Sequence, residues 1–146
     1  MGLYYEDLEI GREFRTAARK VTEADVRAFA ELTGDRNPLH LDRAYAAKTA
    51  FGEPVAHGVL GLALAAGLAS QLEITKDTLV ALVGLEWRFR GPVRYGESIA
   101  ARLKVTARRL TGKKDRGLVT FAVEVVNAGG DVVQEGELVE LVLRKP

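Results

Sequence analysis

Residues Val59–Leu72 read VLGLALAAGLASQL, 14 residues without a charge. A bilayer span needs about 20 such residues, and His57 and Lys76 bracket this run. The stretch is therefore expected to be a helix buried in protein, not in lipid. A helix with no polar face needs apolar cover on every side, and the rest of the chain must supply it.

That cover lies downstream. From about Thr78 the segments LVALVGLEWRFR, IAARLKVTARRL, GLVTFAVEVVNA and VVQEGELVELVLRK are rich in Val and Leu. Gly-Pro, Tyr-Gly, Gly-Lys-Lys-Asp-Arg-Gly and Gly-Gly-Asp turns separate them, so they read as antiparallel hairpins. Asn127–Asp131 is the clearest reversal. The strands run to about 10 to 14 residues, against a usual length of about 5 to 6. A long curved sheet around one apolar helix follows, an α+β fold.

Upstream, Glu13–Lys20 alternates weakly and is expected to be a first strand. Thr22 with Asp25 makes a capping box, and Val21 with Val26 a hydrophobic staple, for a helix from about Glu23 to Thr33. Its Val26, Phe29 and Ala30 face inward, and Gly34 can take the left-handed conformation that ends it. Asp42 is expected to cap a second, short helix through Ala47. No repeat, low-complexity tract or linker interrupts residues 1–146, which read as one domain.

Between these helices lies TGDRNPLHLD, Thr33–Asp42. Asp35 and His40 are five residues apart, a spacing that separates them on a helix and puts them on opposite faces of a strand. Only a bent loop brings them together. Gly34 and Pro38 constrain that loop, and Asn37 offers an amide to orient a neighbour. A carboxylate beside an imidazole is suited to acid–base work near neutral pH. Further on, VAHGVLGLAL places Gly58 where the apolar helix begins, with free backbone N–H groups at the positive end of the helix dipole. This is a ready oxyanion site. His57 is expected to fix the turn into the helix, the alternative being a second catalytic residue or ligand.

Composition narrows the chemistry. With 21 basic and 20 acidic residues the net charge is +1, which gives no general attraction to nucleic acid or anionic lipid. There are no cysteines, which removes disulfides, thiolate metal sites and Cys nucleophiles and fits a cytoplasmic location. The acidic start MGLYYEDLEIGREF shows no secretory signal. No G-x-S-x-G, G-x-G-x-x-G or phosphate loop occurs, and the only serines are Ser70 and Ser98. Asp35, His40 and His57 could form a two-His, one-carboxylate metal set, but they lack the helical spacing of common metal motifs. No metal or cofactor is expected. In WRFR (Trp87–Arg90), alternation puts Trp87 and Phe89 on one face and the arginines on the other. The arginines, and the basic stretch Lys104–Gly117, are either solvated or meet the phosphates of a large ligand.

Phe29, Leu32-Thr33-Gly34-Asp35, Asn37-Pro38-Leu39-His40 and Ala46, with the Ala56-His57-Gly58 of the helix start, closely resemble the MaoC-like (R)-specific enoyl-CoA hydratases. RGPVRYGE (Arg90–Glu97) resembles the strand turn of that family. The resemblance implies a hot-dog fold, commonly dimeric. It also implies that Asp35 and His40 activate water for addition to C3 of a trans-2-enoyl thioester, with Asn37 supporting their geometry and Gly58 N–H receiving the thioester oxygen. Coenzyme A or an acyl-carrier pantetheine would carry the acyl group, and no metal is required. Some members carry a serine about two turns into the helix where this chain has Ala65-Ala66, which bears on acyl specificity. The alternatives are a non-catalytic thioester-binding subunit and a thioesterase. Edge strands of the sheet predict self-pairing of two copies.

Overall fold

The apolar segment forms α4 (Gly58–Gln71), the longest helix in the chain. Three shorter helices precede it: α1 (Glu23–Thr33), α2 (Pro38–Leu41) and α3 (Arg43–Ala46). The computed structural model describes residues 1–146. Its six strands are β1 (Glu13–Arg15), β2 (Arg19–Lys20), β3 (Leu79–Phe89), β4 (Ser98–Leu110), β5 (Arg116–Asn127) and β6 (Val132–Leu143). They form one antiparallel sheet in the order β1-β4-β5-β6-β3, with β2 also paired to β4. The expected first strand is thus two short pieces, Glu13–Arg15 and Arg19–Lys20, separated by a break at residues 16–18.

The last three strands form the two expected hairpins, β4–β5 and β5–β6. The expected hairpin between β3 and β4 does not form. β3 instead crosses to the far edge and pairs with β6, because β1 and β2 already occupy the free edge of β4. Residues 90–97 make the crossing, tied by a bridge from Arg94 to Val55 just before α4. Two register shifts bend β3, as expected of a strand that must curve.

Alternation sorts the long strands cleanly. On β5, Val119, Phe121, Val123 and Val125 are buried, and so are Ile99, Ala101, Leu103 and Val105 on β4. These join Leu60 and Ala65 of α4 and Val26 of α1 in a core cluster of 17 residues. The capping box at Thr22 and Asp25 is present in both directions, and Gly34 ends α1 at φ 79°. Such a cap is worth about 1 kcal/mol. The Thr22 backbone N–H, foremost among several bonds, holds the Asp25 carboxyl below the usual carboxylate range.

One expectation fails in part. α4 buries Leu60, Gly61, Ala65 and Leu68, but Val59, Ala63, Ala66, Gly67 and Ser70 lie open along another stripe. The sheet curls over one side only, with α4 packed chiefly on β4. On edge strand β3, Leu79, Leu82 and Leu85 remain 47%, 56% and 52% exposed. No helix is long and apolar enough to cross a membrane.

Candidate active site

The loop after α1 is built from short side-chain-to-backbone bonds. Thr33 Oγ1 accepts from Asp35 N–H at 3.2 Å, and the Asp35 carboxylate accepts from Asn37 N–H at 3.2 Å. Asn37 Oδ1 then accepts from Leu39 N–H at 3.0 Å, capping α2 with Pro38 in its first turn. The spacing predicts a bent loop throughout, and the structure corrects this: Pro38–Leu41 is a helical turn. Proline fits this place because its ring presets the backbone and it lacks an N–H that would be left unpaired. The Asn37 side chain caps that turn, but the Asp35 carboxylate is held by the Asn37 backbone N–H and not by the side-chain amide expected to orient it.

The helical turn carries His40. Its Nδ1 lies 2.7 Å from the Val55 carbonyl, which can only accept, so Nδ1 bears the proton and Nε2 keeps the lone pair. Nε2 makes no hydrogen bond within the chain, and the buried ring nitrogen left without a partner at the site is Nδ1 of His57. His57 sits below, with ring centroids 3.9 Å apart and planes inclined by 29°. His57 Nε2 donates to the Asp35 carbonyl at 2.9 Å. Asp35, His40 and His57 each place a ligand-type atom within 4.8 Å of the others. The five-residue spacing is thus closed, and Asp35 and His40 meet.

A metal ion fits this trio poorly. One nitrogen of each ring is already committed to a backbone carbonyl, and the stacked rings, inclined by 29°, do not direct their remaining lone pairs at a common near point. His57 matches its expected structural place: it is buried, stands at the N-cap position of α4, and ties that helix start to the Asp35 loop.

A cavity of about 500 Å³ opens beside His40 and is lined also by Phe51, Val55, Gly58, Phe89 and Gln134. His40 and Gly58 therefore face one space; Asp35 is exposed and does not line it, though its carboxylate lies within 4.8 Å of a ring nitrogen of His40. Gly58 N–H and Val59 N–H find no acceptor in the chain. They are the free donors that a helix start leaves. A Cβ at Gly58 would come within 2.8 Å of the Phe89 ring, so a side chain there requires that ring to move.

Two residues of this site are not singled out by the sequence. The Tyr95 hydroxyl donates to the His40 carbonyl, and burial, ahead of the nearby Glu23 carboxylate, pushes its phenol pKa up. Gln134 joins Trp87 to the first turn of α4. Tyr95 falls in the turn that resembles the family's, and Gln134 is a polar break in the buried alternation of β6; these are the signals that could have found them. The arginines of WRFR are paired, Arg88 with Glu86 at 2.7 Å and Arg90 with Glu135 at 3.0 Å. Arg108 donates to the carbonyls of Tyr5 and Glu6.

A long antiparallel sheet over one apolar helix, with Asp35 and His40 brought together near the start of that helix, defines a hot-dog domain. The profile of the family described as MaoC like domain matches residues 7–127, and the chain belongs to that family. It is 37% identical over 134 residues to an (R)-specific enoyl-CoA hydratase of Aeromonas caviae, covering 92% of this chain and 95% of that protein. It is 35% identical over 145 residues to a 3-hydroxybutyryl-CoA dehydratase of Methylorubrum extorquens, covering 98% of this chain and 86% of the other. Among solved structures, a monoamine oxidase regulatory protein from Archaeoglobus superposes with a TM-score of 0.94 at 35% identity, over 99% of this chain and 97% of that one. A double hot-dog protein of Mycobacterium tuberculosis, 22% identical, shares the fold at a TM-score of 0.87.

Proposed function

We propose that this chain, as one hot-dog domain, is an (R)-specific enoyl-CoA hydratase and 3-hydroxyacyl thioester dehydratase. It is a hydro-lyase that adds water reversibly to trans-2-enoyl thioesters. The observation that carries this reading is the orientation of His40: Nδ1 is committed to Val55, and the ring lines the cavity that Gly58 lines. The names of the Aeromonas and Methylorubrum relatives support it.

In the forward direction, His40 Nε2 and the Asp35 carboxylate bind and activate one water. Its oxygen adds to C3, the C2–C3 π electrons move toward the thioester oxygen, and the Gly58 N–H receives the resulting enolate. The proton taken from water returns to C2, so the product contains the whole water and nothing is oxidised or reduced. Asn37 keeps Asp35 in place. An acid–base pair of this kind contributes about 10² to 10⁴ in rate, and one oxyanion donor about 3 to 4 kcal/mol. The reaction needs no metal or cofactor, and the carrier, coenzyme A or acyl-carrier pantetheine, arrives with the substrate.

The reading includes a homodimer. Edge strand β3 offers an unpaired backbone flanked by exposed Leu79, Leu82 and Leu85, and α4 has its open apolar stripe. A second copy would cover both.

The test is hydration of crotonyl-CoA, followed by loss of enoyl absorbance. Asp35→Asn and His40→Gln are each expected to lower kcat by about 10² to 10⁴. Equal rates in all three proteins reject the roles assigned here. Release of free thiol instead of hydration means a thioesterase, and binding without turnover a non-catalytic subunit.

A further inference from the structure

Three polar side chains are buried in the chain, His57, Thr78 and Gln134. Thr78 ties strand to N-terminus through the Leu3 carbonyl at 2.6 Å. Gln134 stands instead at the site, where it lines the cavity and reaches the first turn of α4. Trp87 Nε1–H can only donate, so the Gln134 oxygen faces it, at 2.9 Å. The amide nitrogen is thereby directed at the Gly58 carbonyl, at 3.0 Å. Gly61 makes room one turn along, since a Cβ there would overlap that nitrogen.

The Gly58 carbonyl and the Val59 N–H are two ends of one rigid peptide plane. A hydrogen bond to the carbonyl fixes the plane and polarises the N–H at its other end. Filling space would need only an apolar side chain at this position. A buried amide held at both ends, with a glycine opposite to admit it, acts on direction.

We propose that Gln134 is a positioning residue. Through the Gly58–Val59 peptide it aims and polarises the Val59 N–H, which joins the Gly58 N–H as a second donor to the thioester oxygen. This rests on the hydratase reading above.

The test compares Gln134→Ala, Gly61→Ala and the double variant in crotonyl-CoA hydration, with thermal melting alongside. Gly61→Ala displaces the amide while leaving the glutamine present, so it decides the matter alone should Gln134→Ala not fold. Each single variant is expected to lose about tenfold or more in kcat, with KM within about twofold, since the lost interaction acts in the transition state. In the double variant the losses should not multiply, because both act on one contact. Wild-type kcat in either folded variant overturns the proposal, as does a change confined to KM or to melting temperature, or losses that multiply. A wild type that hydrates nothing sinks the hydratase reading and this inference with it; wild-type turnover with indifferent variants sinks this inference alone.

Discussion

The imidazoles of His40 and His57 lie stacked, 3.9 Å between centroids, and each donates its bound ring proton to a different backbone carbonyl, Val55 and Asp35. The stack joins the two halves of the site. One histidine hangs from the segment before α4 and the other holds the loop that carries Asp35.

His57 is thus expected to matter more to the fold than to the chemistry. His57→Asn removes a buried ring and leaves the Asp35 carbonyl without its donor, at a cost of about 1 to 3 kcal/mol in urea unfolding. Its kcat should fall less than that of His40→Gln. Abolished turnover at unchanged stability would place His57 among the reacting groups instead.

Tyr95 anchors the other side of His40. Tyr95→Phe keeps the ring and loses one hydrogen bond to the His40 carbonyl, an expected cost of about 0.5 to 1.5 kcal/mol. A small misplacement of a base slows turnover, so kcat should fall together with stability. A variant identical to wild type in both would leave the contact without consequence.

Glu140 gives stability a pH dependence. It lies in the inward-facing register of β6 beside Val142 and Leu138, with Thr75 as its only hydrogen-bond partner, at 3.4 Å. Burial raises its pKa above the ordinary 4.5, against a smaller opposing effect of Thr75. A raised carboxyl pKa means that the folded state binds the proton more tightly than the unfolded one. Stability from this group is therefore present at low pH and lost as pH rises through the folded value. Asp25, whose pKa is lowered, acts with the opposite sign at more acid pH. Glu140→Gln should be more stable than wild type at about pH 8, with the advantage shrinking toward about pH 4. Urea melts across that range check it, and parallel curves would refute it.

Self-association should depend on β3. Light scattering is expected to give twice the 15.9 kDa chain mass for wild type. Leu85, 52% exposed in the single chain, can be replaced without opening the core, so Leu85→Lys should give a folded monomer. A monomeric wild type, or a variant that stays dimeric, would remove β3 from the interface.

Local chemistry was legible in the sequence. The bounds of α1, its capping box, its glycine end and the four long strands follow from contacts within a few residues, where propensity and alternation act directly. The Asp35–His40 pair was legible as well, since Gly34, Asn37 and Pro38 build the turn locally. Three features depended on partners distant in the chain. β3 pairs with β6 because β1 and β2 occupy the edge of β4; one side of α4 stays open because the sheet covers only the other; and Tyr95 and Gln134 reach the site from residues 55 and 76 positions away from their partners. Alternation assigns a side chain to a face but does not say which strand lies beside it, and that choice is made by the packing of the whole sheet on one helix.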